Sequence, residues 1–135
     1  AKTLFPYTTL FRSKNKWYPD GFNQAVDYQI DEKCKIKILS APYFIATKFE
    51  AFKGRGNNDG RMSQDFEDIV YILENRSTIW EEIINSNEHI KNYLRAEFRN
   101  LLLNPNYSEW IDAHVERGYP PATDSIINAL RNFTI

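Results

Sequence analysis

The sequence predicts an α+β fold, in which a short antiparallel β-hairpin is followed by a C-terminal helical bundle. Three observations predict it. Val26, Tyr28 and Ile30 alternate with Asp27 and Gln29, and Cys34, Ile36 and Ile38 alternate with Lys35 and Lys37. That period of two is the pattern of paired strands with one buried face. After Pro42 the apolar residues fall at helical spacing and keep it to the end of the chain. Finally, 135 residues with 42% hydrophobic and 15% aromatic side chains suffice for one core and are too few for two.

Residues Ala1 to Ser13 (AKTLFPYTTLFRS) follow neither period, and Pro6 interrupts any helix. The stretch resembles a translated sequencing-adapter fragment. We read residues 1–13 as non-native or disordered, with an ordinary N-terminal strand or arm as the alternative. The unit to be explained is 14–135, with a hairpin over 22–39 and a helical part over 42–135.

Trp17-Tyr18-Pro19-Asp20-Gly21 reads as an aromatic anchor followed by a turn, since Pro presets φ and Gly tolerates a left-handed position. The second strand runs into Ser40-Ala41-Pro42, where Pro42 suits the first turn of a helix. Tyr43 to Phe52 is apolar on most sides through Phe44, Ile45, Phe49 and Phe52, the mark of a buried helix. Lys53 to Arg61, with three glycines and two asparagines, reads as a loop. Ser63 is a natural N-cap, and Asp65 and Glu67 suit the positive end of the helix that follows. Phe66, Ile69, Val70 and Leu73 form its apolar stripe. Further helices are expected after Ser77 or Thr78, and from Ser86 or Asn87 to the stop at Asn104-Pro105. Two shorter ones follow, around Trp110 and from Asp124 to Phe133.

Composition excludes several functions. A formal net charge of -1 gives no broad basic field for nucleic acid. One cysteine, Cys34, forms neither an intrachain disulfide nor a multi-cysteine zinc site, and fits a reducing cytoplasm. His89 and His114 are too far apart in sequence to suggest a metal pair. No apolar run approaches the roughly 20 residues that span a bilayer, so a soluble cytoplasmic protein without a membrane partner is expected.

The unusual segment is Lys48 to Asp68. A lysine stands on an otherwise apolar helix, the loop adds Lys53 and Arg55 among glycines, and an acid-rich helix start holds Asp65, Glu67 and Asp68. Lys and Arg offer charge-assisted donors to phosphoryl oxygens, and a glycine-flanked loop lets the backbone approach a ligand. The structural alternative is that Lys48 pairs with Asp65 or Asp68 as an internal tie between two helices. Spacing alone favours the tie. Were the pair fully buried, Lys48→Ala would cost about 3–5 kcal/mol. Cys34 reads as a core residue on the inward strand face, and neither histidine is flanked by a nucleophile and an acid.

The ordered run Ala41-Pro42-Tyr43-Phe44-Ile45-Ala46-Thr47-Lys48-Phe49-Glu50-Ala51-Phe52, then Arg55-Gly56, Asp59, Ser63 and Asp65-Phe66-Glu67-Asp68-Ile69, carries a family resemblance. It is similar to the second half of nucleotidyltransferases related to the AbiEii toxin of type IV toxin–antitoxin and phage-defence systems. Asn15-Lys16-Trp17-Tyr18 resembles the segment that leads into that family's hairpin, and Arg76 resembles the arginine that closes its acidic motif. The resemblance covers roughly Asn15 to Arg76, and the helical tail only loosely.

It implies that the chain is the C-terminal portion of an enzyme that transfers a nucleotide from an NTP to an acceptor, an RNA such as tRNA among the candidates, with an antitoxin protein as a further partner. Lys48 would contact the nucleotide triphosphate, with Arg55 a second-rank nucleotide-binding candidate that rather holds Lys48 and the loop in place. Asp65 would be a catalytic base or orienting acid, and Asp68 a second-rank catalytic candidate that holds Lys48. The family binds Mg²⁺ through acids in an Asp-x-Asp strand upstream of the Trp-Tyr segment, and residues 1–135 show no such pair. A truncated, inactive fragment of a Mg²⁺- and NTP-dependent parent is therefore expected, with no cofactor of its own. The alternative is a non-catalytic module of the same fold that binds nucleotide, RNA or an antitoxin.

Overall fold

The computed structural model describes residues 2–3 and 15–135. The expectation for residues 1–13 therefore lies outside the described residues, apart from Lys2–Thr3, which form β1. The order continues α1 (Trp17–Asn23), β2 (Val26–Gln29), β3 (Lys35–Ile38), α2 (Ala41–Arg55), α3 (Gln64–Asn75), α4 (Ile79–Asn85), α5 (Glu88–Leu103), α6 (Tyr107–His114) and α7 (Ala122–Thr134). The fold is α+β, a hairpin followed by a helical bundle. The strands are ordered β1-β3-β2, with β2 antiparallel to β3 (Val26 opposite Ile38, Gln29 opposite Lys35) and β1 parallel to it.

Helix α2 is the centre. It packs against α1, α3, α4 and α5, which is why it is apolar on most sides rather than along one stripe. Tyr43, Ile45, Ala46 and Phe49 are buried on it. The other long helices each offer one stripe: Phe66, Ile69, Val70 and Leu73 from α3; Ile90, Leu94, Phe98 and Leu101 from α5; Ile126, Ile127 and Leu130 from α7. Each such fully buried side chain contributes about 1.5–3 kcal/mol of transfer free energy. An aromatic seam runs through the middle, with Phe98 edge-on to Phe49 at 5.4 Å and 5.7 Å from Trp80.

Two helix starts follow their local chemistry. Ser63 Oγ accepts from the Phe66 amide at 3.2 Å, and Asn87 Oδ1 accepts from the Ile90 amide at 3.1 Å. Asn87 also donates from Nδ2 to the Tyr43 hydroxyl at 2.7 Å, tying α5 to α2. Ser63→Ala is expected to lower unfolding stability by about 1 kcal/mol, the usual worth of an N-cap, measured by urea denaturation.

Four local readings are corrected. Trp17–Asn23 is helical rather than a turn. Pro19 falls in the first turn, where a missing N–H is harmless, and Trp17 is 2% exposed against Tyr43, His89 and Tyr93. Residues 22–23 thus belong to α1, and the paired strands begin only at Val26. The alternating face of the hairpin is not buried on its first strand, where Val26, Tyr28 and Ile30 are 48%, 56% and 56% exposed, and is only part-buried at Ile36 and Ile38. Alternation sorts side chains to two faces, but burial needs a packing partner, and α2 turns its contacts to helices. Cys34 precedes β3 in the hairpin turn, part-exposed, where its carbonyl accepts from the Ile30 amide at 2.9 Å. Lastly, α2 runs on through Lys53 to Arg55, so the connecting loop is 56–63.

Candidate functional site

The antiparallel approach of α2 and α3 brings Lys48, Arg55, Asp65 and Asp68 into one cluster. Arg55 forms a two-pronged pair with Asp65, Nε to Oδ2 and a terminal nitrogen to Oδ1, each at 2.7 Å. Lys48 Nζ lies 2.7 Å from Asp68 Oδ2 and 3.5 Å from Asp65 Oδ1. Two cations face two carboxylates, so the cluster is neutral within itself. Its members differ in depth. Asp65 is 3% exposed, whereas the Arg55 side chain is 72% exposed and that of Lys48 is 23% exposed.

A buried carboxylate survives only if its lone pairs are filled. Asp65 is served by Arg55, by Lys48 and by the positive end of α3, where it stands in the first turn. The Arg55 hydrogen bonds hold its carboxyl below the ordinary carboxylate range despite the opposing effect of burial, with Lys48 adding to the lowering. Asp65 in turn raises Arg55 above its ordinary value. A carboxylate so stabilised is a poor proton acceptor near neutrality.

Lys48 also lies 5.4 Å from the centre of the Phe44 ring, one turn back on α2. The carbonyl beside it, that of Thr47, accepts from Asn15 Nδ2 at 2.8 Å, which docks the Asn15–Trp17 segment against this part of α2. A surface cleft of about 300 Å³ opens beside the cluster, bordered by Arg55, Asn57, Asp59, Ser63, Gln64 and Asp65. The Asp59 carboxylate is turned to the Arg61 amide at 3.0 Å.

Gly56 borders the cleft, but no described glycine of this segment supplies a left-handed turn. The left-handed positions are taken by Asn57 and Asn58, both at φ 52, while no described glycine has a positive φ; asparagine is among the few residues that accept this conformation. Gly60 is small because Trp110 lies against it: a Cβ there would stand 2.5 Å from the indole Cε3. At Gly60 the space beside the backbone is filled by the indole rather than left for a ligand.

Arg76 and Lys53 are not brought to the cluster. Arg76 pairs with Glu82 through two hydrogen bonds of 2.6 and 2.9 Å at the start of α4. Lys53 lies 2.6 Å from both Glu50 and Glu97, and Tyr93 donates to Glu50. That network ties α2 to α5, with the Tyr93 hydroxyl pushed far up by burial and by the neighbouring Glu50. Two residues of α6 reach the loop. His114 Nε2 lies 2.7 Å from the Gly60 carbonyl, and Trp110 underlies Gly60. At about fifty residues' separation no local pattern signals them.

The residues present do not fit a Mg²⁺ site. Asp65 and Asp68 are occupied by cations, and among the described residues no group of three His, Cys, Asp or Glu side chains is placed to hold a metal ion. No helix among the described residues is long and apolar enough to cross a membrane. Comparison with protein-family models, with curated proteins and with solved structures finds no match.

Proposed function

We propose that the Lys48–Arg55–Asp65–Asp68 cluster is the nucleotide-holding half of an AbiEii-like nucleotidyltransferase site, with Lys48 and Arg55 facing the triphosphate of an NTP. The carrying observation is the convergence of the four residues in one cluster, of which Arg55 and Asp65 border the cleft and the buried Asp65 presents an exposed arginine. A guanidinium has five N–H donors, of which Asp65 takes two; the remainder stand on a side chain mostly in solvent. Lys48 likewise brings three donors to two carboxylates.

On this reading Asp65 is a positioning residue for Arg55, and Asp68 one for Lys48. Asp65 then acts by position rather than as a general base, because its depressed pKa works against proton abstraction. The metal-holding acids, the RNA acceptor and any antitoxin belong to the parent enzyme. The chain alone binds nucleotide without turnover, as a non-catalytic module of this fold also would.

One observation favours a second reading, in which the cluster only locks α2 to α3: Lys48 is already satisfied by Asp68 at 2.7 Å. Calorimetry with ATP, CTP, GTP and UTP separates the two. The nucleotide reading expects binding that Lys48→Ala weakens about tenfold or more, as loss of one charge-assisted contact implies. Equal behaviour of wild type and variant would leave only the lock. Either way Lys48→Ala is expected to lower stability by about 1–2 kcal/mol. This is less than a fully buried pair would lose, because Lys48 is part-exposed and Asp65 keeps Arg55.

A further inference from the structure

Helix α6 lies in the tail that resembles nucleotidyltransferases only loosely, yet it touches both shoulders of the candidate site. Trp110 packs edge-on to Phe52 at 5.9 Å and to Phe66 at 5.8 Å. Phe52 is three residues before Arg55, and Phe66 directly follows Asp65. Between them, Gly60 rests on the same indole, and its carbonyl accepts a hydrogen bond from His114 at 2.7 Å. Arg61 is paired with Glu109 on the same helix. One short helix therefore grips the chain before, within and after loop 56–63.

We infer that Trp110 and His114 of α6 are positioning residues for the candidate nucleotide site, holding loop 56–63 so that Arg55 stays in register with Asp65. The inference rests on the nucleotide reading for its functional consequence, but its mechanical part stands without a ligand. The hydrogen bond to Gly60 uses Nε2–H, because a carbonyl only accepts. Glutamine, whose side-chain amide donates at similar reach, is the conservative substitute; alanine removes the donor.

The test uses the full chain with two readouts. Without nucleotide, amide hydrogen exchange at Asn57–Arg61 and the NMR signal of the Arg55 Nε–H report loop order and the Arg55–Asp65 pair. His114→Ala is expected to speed exchange across the loop about fivefold, the worth of one hydrogen bond, and to weaken the Arg55 signal, with the thermal midpoint of the rest of the fold little changed. His114→Gln is expected to restore both. Unchanged loop exchange and an unchanged Arg55 signal in His114→Ala would overturn the inference, as would failure of glutamine to restore them. Calorimetry with ATP is the second readout. Affinity should fall about fivefold in His114→Ala and recover in His114→Gln; equal affinity in all three, with the loop loosened, overturns the functional part. Absence of ATP binding to the wild type removes the nucleotide reading and the functional part with it, while the exchange data still decide whether α6 positions the loop.

Discussion

Replacing Trp110 with alanine is expected to destabilise the fold by about 3–5 kcal/mol, the range for truncating a buried tryptophan. Trp110 is 6% exposed and meets Phe52, Phe66 and Gly60, so the cavity would open where α2, α3 and α6 join. Collapse into it is resisted on two sides by helices already packed on Phe49, Ile69 and Val70. Urea denaturation monitored by circular dichroism checks the magnitude. Trp110→Phe retains a ring in place and is expected to lose less than half as much. A loss below about 1 kcal/mol for Trp110→Ala would show that the site relaxes freely and that Trp110 is not the hub described.

The second large effect is an asymmetry within the ion pair. Arg55→Ala is expected to cost about 3 kcal/mol, because it strips two hydrogen bonds from a buried carboxylate. Asp65→Ala is expected to cost less, because the partner it strands, Arg55, is 72% exposed and can turn to water. Intuition from exposure alone predicts the reverse. The pH dependence gives an independent check. Arg55 depresses the Asp65 pKa in the folded state, so the associated stability is fully present above the unfolded value, about 3.9. It is lost as pH falls through the lower folded value. The stability gap between wild type and Arg55→Ala is therefore expected to be constant from about pH 5 to 7 and to narrow below about pH 4. A gap that stays constant down to pH 2 would mean that Arg55 acts by packing and not through the Asp65 charge.

These predictions fall on residues of unequal visibility in the sequence. Lys48, Arg55, Asp65 and Asp68 were legible as candidates, because charged residues on an apolar helix and in an acidic first turn stand out against their local pattern. Their pairing was legible only as alternatives. Spacing places Lys48 near both Asp65 and Asp68, but it cannot show that Arg55 would take Asp65 from one side while Lys48 reached both acids from the other. The loop glycines misled for a related reason. Gly60 carries the same letter whether it leaves room for a phosphate or for an indole, and Trp110 is fifty residues away.

The sequence by itself determined the fold class, the presence of a hairpin, the helix cap at Ser63, and the apolar stripes of α3 and α5, and it narrowed the cap of α5 to Ser86 or Asn87. All of these rest on interactions within a few residues of chain, where period and capping chemistry are sufficient. Only the tertiary structure decided the rest: that Trp17 opens a helix with its ring buried among Tyr43, His89 and Tyr93, and that Val26, Tyr28 and Ile30 stay exposed. It decided too that the two cations and two acids of the site share one neutral cluster, and that α6 packs on the loop beside it. Burial and ion pairing depend on which surfaces meet, and that is a property of the assembled helices, which no local period records.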